Sequence, residues 1–179
     1  MSEARFSLAA GVIGDSLYAV AGIIDDGVGP GVKLERYDPA IGEFGGFDAW
    51  NTNPPPPMLP TSLASLPTPR EGLTVAVLGD ELYALGGHTS GGGATAAVES
   101  YNPGSDSWTS RAPLPLARTW LAAAVIDDTL YAVGGGENDA PSNTLEAYSA
   151  LTNSWTTLAA SPMPTARTGL AAAVVDGKL

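Results

Sequence analysis

Residues 118–155 read RTWLAAAVIDDTLYAVGGGENDAPSNTLEAYSALTNSW, and this stretch decides the fold because other segments of the chain reproduce its landmarks at the same offsets. Arg118 is followed by an apolar run from Leu121 to Ile126, an acidic turn at Asp127 and Asp128, then Leu130, Tyr131 and the pair Gly134 and Gly135. Glu146, Tyr148 and Trp155 complete the copy. Taking Arg118 as zero, the matching positions are Arg5, Arg70 and Arg167, and three of the four reach a Tyr thirteen residues later, at Tyr18, Tyr83 and Tyr131. After Arg167 the sequence runs to Leu179, which matches Leu17, Leu82 and Leu130. Three complete copies and the start of a fourth follow. The Arg markers are 48 (118 minus 70) and 49 (167 minus 118) residues apart, within the range of repeat architectures. The first interval is 65 (70 minus 5), and its excess lies between Phe44 and Leu63 in a Gly-, Asn- and Pro-rich stretch that includes Pro54 to Pro57. Such a composition reads as a surface loop.

Each copy resolves into short segments. The first, such as Leu73 to Leu78 or Leu170 to Val175, is apolar and bounded by turn residues, which suits a strand buried on both faces. Ala122 to Ala124 and Ala171 to Ala173 would favour helix on propensity, but six or seven residues are too few for one. Small residues instead allow close approach where inner strands converge on an axis. Tight turns follow at Gly14 and Asp15, Gly79 and Asp80, Asp127 and Asp128, and Asp176 and Gly177. The second strand carries the Tyr and then Gly86 and Gly87 or Gly134 and Gly135; the first copy has Ala21 and Gly22. Glycine weakens a strand unless a backbone passes close by or the strand bends, so its recurrence here is structural. The third strand ends at Tyr37, Tyr101 or Tyr148, each two residues after Glu35, Glu99 or Glu146. Seven residues later stands Phe44, Trp108 or Trp155.

Composition narrows the function classes. The 179 residues are 44% hydrophobic with mean hydropathy +0.08, and 22 Gly and 15 Pro leave no long helical stretch, so the chain reads as globular and all-β. Nineteen acids against eight bases give a net charge of -11, which repels a phosphate backbone and argues against nucleic acid as a partner. With no Cys and one His, thiolate chemistry is absent, imidazole chemistry is scarce, and the compartment stays open. No apolar run approaches the roughly 18 residues of a membrane span, and the repeat register claims Phe6 to Ile13 as a strand rather than a signal-peptide core.

The set of landmarks resembles the kelch repeat over nearly the whole chain. The resemblance implies an all-β, kelch-type β-propeller, here partial: three four-stranded antiparallel blades plus one or two strands of a fourth. Residues 1–179 then form a single partial propeller, with repeat 1 at 5–66 carrying a loop insertion at 45–62, repeat 2 at 67–114, repeat 3 at 115–163 and a truncated repeat 4 at 164–179. Ala21 in place of a glycine, Phe44 in place of Trp, and the insertion depart from the pattern. Closed propellers have about 4 to 8 blades, so the chain is expected to be a piece of a longer protein, with two chains sharing a ring or an open arc as the other arrangements. Uncovered strand edges predict that the isolated chain associates with itself.

Antiparallel order places the turns after strands one and three of each blade on one side and the remaining connections on the other. The first side collects short acidic turns, Asp106 among them. The second collects the variable loops Ile23 to Lys33, His88 to Ala97 and Gly136 to Asn143 with the stretch Gly45 to Pro69, and is the expected binding face. Asp25, Asp26, Trp50, His88, Glu137 and Asp139 are its candidate contact residues. Arg5, Arg70, Arg118 and Arg167 are expected to make a repeated hydrogen bond between loop and blade. Glu35, Glu99 and Glu146 are likewise expected to be structural rather than an acid pair for glycoside chemistry, since their spacing puts them on separate blades. Tyr18, Tyr83, Tyr131, Trp108 and Trp155 are expected to pack between blades.

Kelch propellers commonly act as protein-interaction platforms, so the resemblance implies a binding module or scaffold with a protein partner and no cofactor or metal. Some are enzymes, among them copper radical oxidases and sialic acid mutarotases. The copper site needs a Cys and paired imidazoles that this chain lacks, and no nucleophile elbow accompanies His88. A carbohydrate-active enzyme of the mutarotase type, its site completed by further blades, is the alternative.

Overall fold

A computed structural model describes residues 5–21, 23–24, 33–38, 43–45, 63–137 and 140–179. Every regular element among them is a strand, and the longer strands form three four-stranded antiparallel sheets, each built from consecutive strands. The first blade contains Ala9–Ile13, Ser16–Val20, Leu34–Asp38 and Glu43–Gly45. The second contains Thr74–Leu78, Glu81–Leu85, Val98–Asn102 and Ser107–Ser110. The third contains Ala122–Ile126, Thr129–Val133, Leu145–Ser149 and Ser154–Thr157.

Equal offsets in sequence become equal registers in space. Tyr18, Tyr83 and Tyr131 stand opposite Gly11, Ala76 and Ala124 of the inner strands. Glu35, Glu99 and Glu146 all face an Ala of the second strand, and Phe44, Trp108 and Trp155 all face the Tyr that ends the third. Because side chains alternate with period two, this common register sends Tyr18 and Tyr83, Glu99 and Glu146, and Trp108 and Trp155 to matching faces of their sheets.

The core lies between blades rather than within one. Tyr18, Val20 and Leu34 of the first blade pack with Val75, Leu82 and Tyr101 of the second. Tyr83, Leu85 and Val98 of the second pack in turn with Leu130, Ala132 and Tyr148 of the third. Tilted ring pairs mark both layers, Tyr18 with Tyr101 at 6.0 Å and Tyr83 with Tyr148 at 5.7 Å. A single sheet thus has no core of its own, as in other repeat architectures.

Two expectations are corrected in detail. The inner strands are not buried on both faces: buried and half-buried positions mix along the second and third, Val12 of the first is 57% exposed, and the first residues of all three line a shared groove. The expected strand from Leu170 to Val175 is likewise not laddered. Only Val175 and Lys178 bridge each other, since an extended segment becomes a strand only where a neighbour accepts its hydrogen bonds.

The glycine pair ends the second strand in left-handed backbone, with φ of 61° and 107° at Gly86 and Gly87 and of 57° and 84° at Gly134 and Gly135. Its purpose is close approach. Gly87 N–H donates to the carbonyl of Arg118 at 2.8 Å and Gly135 N–H to that of Arg167 at 2.9 Å, so each pair receives the backbone that opens the next repeat. A Cβ on Gly86 would collide with the Arg118 carbonyl oxygen. Ala21 occupies the same place in the first blade with a φ of 57°.

Replacing Gly86 by Val is therefore expected to cost about 3 kcal/mol or more, from both the clash and the left-handed backbone. Gly93→Ala, where a Cβ meets nothing within 4 Å, should stay within about 0.5 kcal/mol of the parent. Urea unfolding of the two variants side by side checks the assignment.

Candidate functional site

The repeated Arg is the most buried large side chain of each repeat in which it is described with its blade. Arg70 and Arg118 are both 0% exposed. Arg118 forms an ion pair with Glu146 and donates to the Gly134 carbonyl at 2.8 Å and to Thr144 Oγ1 at 2.6 Å. Arg70 pairs with Glu99 and donates to the carbonyls of Thr68 at 3.0 Å and Ala84 at 3.2 Å. These residues tie the loop that enters a blade to the second and third strands of the same blade. Burial works against the charge on both partners: it pushes Glu146 up and Arg118 down from their ordinary values, each opposed by the charge of the other. Neither guanidinium is presented to solvent, so an anion has no access to either.

A second repeated device closes the outer edge. Trp108 Nε1 donates to the Ala64 carbonyl at 2.8 Å and Trp155 Nε1 to that of Ala112 at 2.9 Å, so each indole reaches the linker of the preceding repeat. Asp106 Oδ1 accepts from the Ala64 N–H and from the Tyr101 hydroxyl, both at 2.8 Å. Asn153 Oδ1 does the same for Ala112 and Tyr148. Asp106 is thus a bonded acceptor rather than a merely solvated turn residue. Arg111 adds a bond to Glu81 at 2.6 Å and one to Ser100 Oγ at 2.8 Å, and its guanidinium lies 5.8 Å from the centre of the Tyr83 ring.

On the opposite side each entry segment pairs with the loop of its own blade. Arg5–Phe6 pairs with Ile23–Ile24, and Glu71 and Thr119 bridge His88 and Gly136. Short hairpins then rise from the second and third blades, His88–Thr89 with Gly93–Ala94 and Gly136–Glu137 with Ala140–Pro141. His88 is half-exposed at the base of one, its Nδ1 3.9 Å from Glu71 Oε1. Glu137 stands in the other. Asp25, Asp26, Trp50 and Asp139 lie outside the described residues. Arg167 is exposed, its backbone docked on Ser142 and Gly135. Tyr131 is partly buried. Among the described residues no group of three or more His, Cys, Asp or Glu could hold a metal ion, and no helix is long and apolar enough to cross a membrane.

Sequence reading missed Trp120. It sits two residues after Arg118, where the other copies have Ser7, Gly72 and Gly169, and all four are left-handed, with φ of 53° at Trp120. A bulky residue there costs on the order of 1–3 kcal/mol. Trp120 N–H donates to the Gly72 carbonyl at 2.8 Å and its own carbonyl accepts from Gly169 N–H at 2.9 Å, so this position links successive repeats around the groove. The indole covers Gly72, yet Trp120 remains 46% exposed at the mouth of a groove of about 400 Å³. Superposing the copies at this offset, and asking which residue is out of place, would have found it.

Two outcomes follow from the buried groups. Glu146→Gln strands the Arg118 charge and should cost about 3–5 kcal/mol, whereas the apolar double replacement Arg118→Met with Glu146→Leu should cost less than either single change; chemical denaturation measures both. The second concerns alkali. Burial raises the Tyr83 phenol to about 12, and raises Tyr101 and Tyr148 as well, with the bond to Asp106 adding to the effect at Tyr101. A phenol whose pKa is higher folded than unfolded stabilises the fold fully below the unfolded value of 10.0 and loses that contribution as pH rises towards 12. Unfolding with phenolate absorbance is expected in that window, and Tyr83→Phe should move it to higher pH.

The family model of the KLHDC2/KLHL20/DRC7 Kelch-repeats domain matches residues 46–179, well over half of the chain. No curated protein matches it significantly.

Proposed function

Because the chain belongs to the kelch-repeat family, a family of protein-interaction modules, we propose that it binds a protein partner through the variable loops of one face. The observation that carries this reading is the contrast between the two sides of the blades. The framework repeats its central contacts: Arg70 pairs with Glu99 as Arg118 pairs with Glu146, and Asp106 and Asn153 each accept from a linker N–H and a Tyr hydroxyl. The hairpins at 88–94 and 136–141 differ in length and sequence while standing on equivalent bases. Variable loops on a rigid scaffold are where recognition concentrates. His88 and Glu137 lie in this set, and Asp25, Asp26, Trp50 and Asp139 are assigned to the same surface from sequence.

The reading extends to assembly. Three four-stranded blades stand among the described residues, fewer than the roughly four to eight of a closed ring, and their open edges support self-association as part of the same reading. Elution of the isolated chain should move towards larger species as concentration rises; a strictly monomeric profile over a wide range would count against this part.

His88→Ala together with Thr89→Gly, which changes the two residues of 88–93 that are not already Gly or Ser, should leave thermal stability near the parent's, since His88 is half-exposed and its ring meets the framework only at 3.9 Å from Glu71. The same change should abolish capture of the partner that the parent chain retains. Unchanged capture by this variant and by a Glu137→Ala variant would assign the partner to another face.

A further inference from the structure

We propose that two copies of this chain join head to tail, the face of Ala171, Ala173 and Val175 on one copy packing against the face of Leu8, Ala10 and Val12 on the other. This joint rests on the self-association proposed above and specifies the two surfaces that meet.

Its geometry is that of the joints already present within the chain. Alternate residues of an inner strand point to opposite faces, so each strand serves two neighbours. Ala9 and Ile13 of the first blade share a core with Leu73, Val75 and Val77 of the second. Ala76 and Leu78 of the second share the next core with Leu121, Ala123 and Val125 of the third. Residues in the register of Ala9, Gly11 and Ile13 thus face the following repeat, and residues in the register of Leu73, Val75 and Val77 face the preceding one. The segment after Arg167 obeys the same rule. Gly135 N–H donates to the Arg167 carbonyl as Gly87 N–H does to that of Arg118. A Cβ on Gly86 would meet Leu121 at 3.0 Å and one on Gly134 would meet Leu170 at 3.2 Å, so Leu170 docks on the third blade as Leu121 docks on the second. Exposure alternates to match: Leu170 and Ala172 are half-buried, whereas Ala171 and Ala173 are exposed.

Two faces of this stack of inner strands meet no neighbouring repeat among the described residues. At one end Ala10 and Val12 are exposed, although Val77 and Val125, which match Val12, are half-buried against the blade before them. At the other end Val175 is 68% exposed, although its counterpart Leu78 is buried against the third blade. All six residues of the two faces are apolar on a chain of net charge -11, so leaving them in water costs free energy. Continuity with the internal joints identifies the occupant. The chain twice packs a face of the first kind against one of the second, and it ends the stack with one of each left over. A second copy carries the complement of both. Because the joint matches unlike faces, the contact is heterologous rather than two-fold.

The test is sedimentation equilibrium of the chain and of two variants, Val12→Asp and Val175→Asp, over about 1 to 500 μM. Both valines are exposed, so each variant should fold with thermal stability near the parent's. A carboxylate placed in an apolar joint must lose its water, so each variant alone should associate about tenfold more weakly than the parent, or worse. An equimolar mixture of the two should regain association, because the intact Val175 face of one meets the intact Val12 face of the other. Ala10→Glu and Ala173→Glu repeat the experiment on the same two faces should an aspartate variant fail to fold. The hairpin variant His88→Ala with Thr89→Gly should associate like the parent, which keeps this joint distinct from the loops assigned to the protein partner. A parent chain that stays monomeric throughout defeats self-association and this joint together. A parent that associates while Val175→Asp associates equally well, or a mixture no stronger than its components, leaves self-association standing and overturns the head-to-tail joint.

Discussion

Arg118 serves two blades at once, and the rest of the structure depends on that double attachment. Its carbonyl accepts from Gly87 of the preceding blade, while its guanidinium holds Gly134, Thr144 and Glu146 of its own. The first bond requires that residue 86 have no Cβ, and the second requires a carboxylate buried with the charge. Removing a charge from such a pair is far more damaging than never having built it, which makes Arg and Glu interdependent. One pin therefore explains three of the repeated landmarks.

The inner pin and the outer clamp divide the work. Pins fix where each inner strand starts, next to the groove. At the outer edge, Trp108 and Trp155 reach back to Ala64 and Ala112, and Asp106 or Asn153 locks the same linker and a Tyr hydroxyl. Between them lie the tilted ring pairs. Each interface between blades is thus held at both ends and filled in the middle, which leaves the loops free to vary without disturbing the packing.

Much of this is legible in the sequence, and what escapes does so for physical reasons. The offsets of Arg, Tyr, Glu and Trp give the strands, their order and their common register, because register is set by position rather than by contact. The specific pairing of Arg118 with Glu146 is beyond sequence reading, since 28 residues separate them and only the folded sheet brings them together. Asp106 and Asn153 escape notice as equivalents because they differ in residue type, although both supply an Oδ1 acceptor in left-handed backbone. Trp120 hides behind the same habit of looking for identity: its counterparts are Ser7, Gly72 and Gly169, and the shared property is a backbone angle. The inner strands look fully buried because apolar runs read alike whether they face a core or a groove.

The linker residue Ala64 has an implication for the long insertion that precedes it. Gly45, at one end of the insertion, belongs to the outer strand of the first blade, and Ala64, just past the other, is gripped by Asp106 and Trp108 of the second. With both anchors set by the blades, a longer span between them carries an added loop-closure entropy. That penalty grows only logarithmically, by about 0.6 kcal/mol for each doubling of length. The first repeat can therefore carry a span about six times that of its neighbour, Gly45 to Ala64 against Thr109 to Ala112, at a loop-closure cost of about 1.6 kcal/mol, and this junction is a natural place for the chain to accept new sequence.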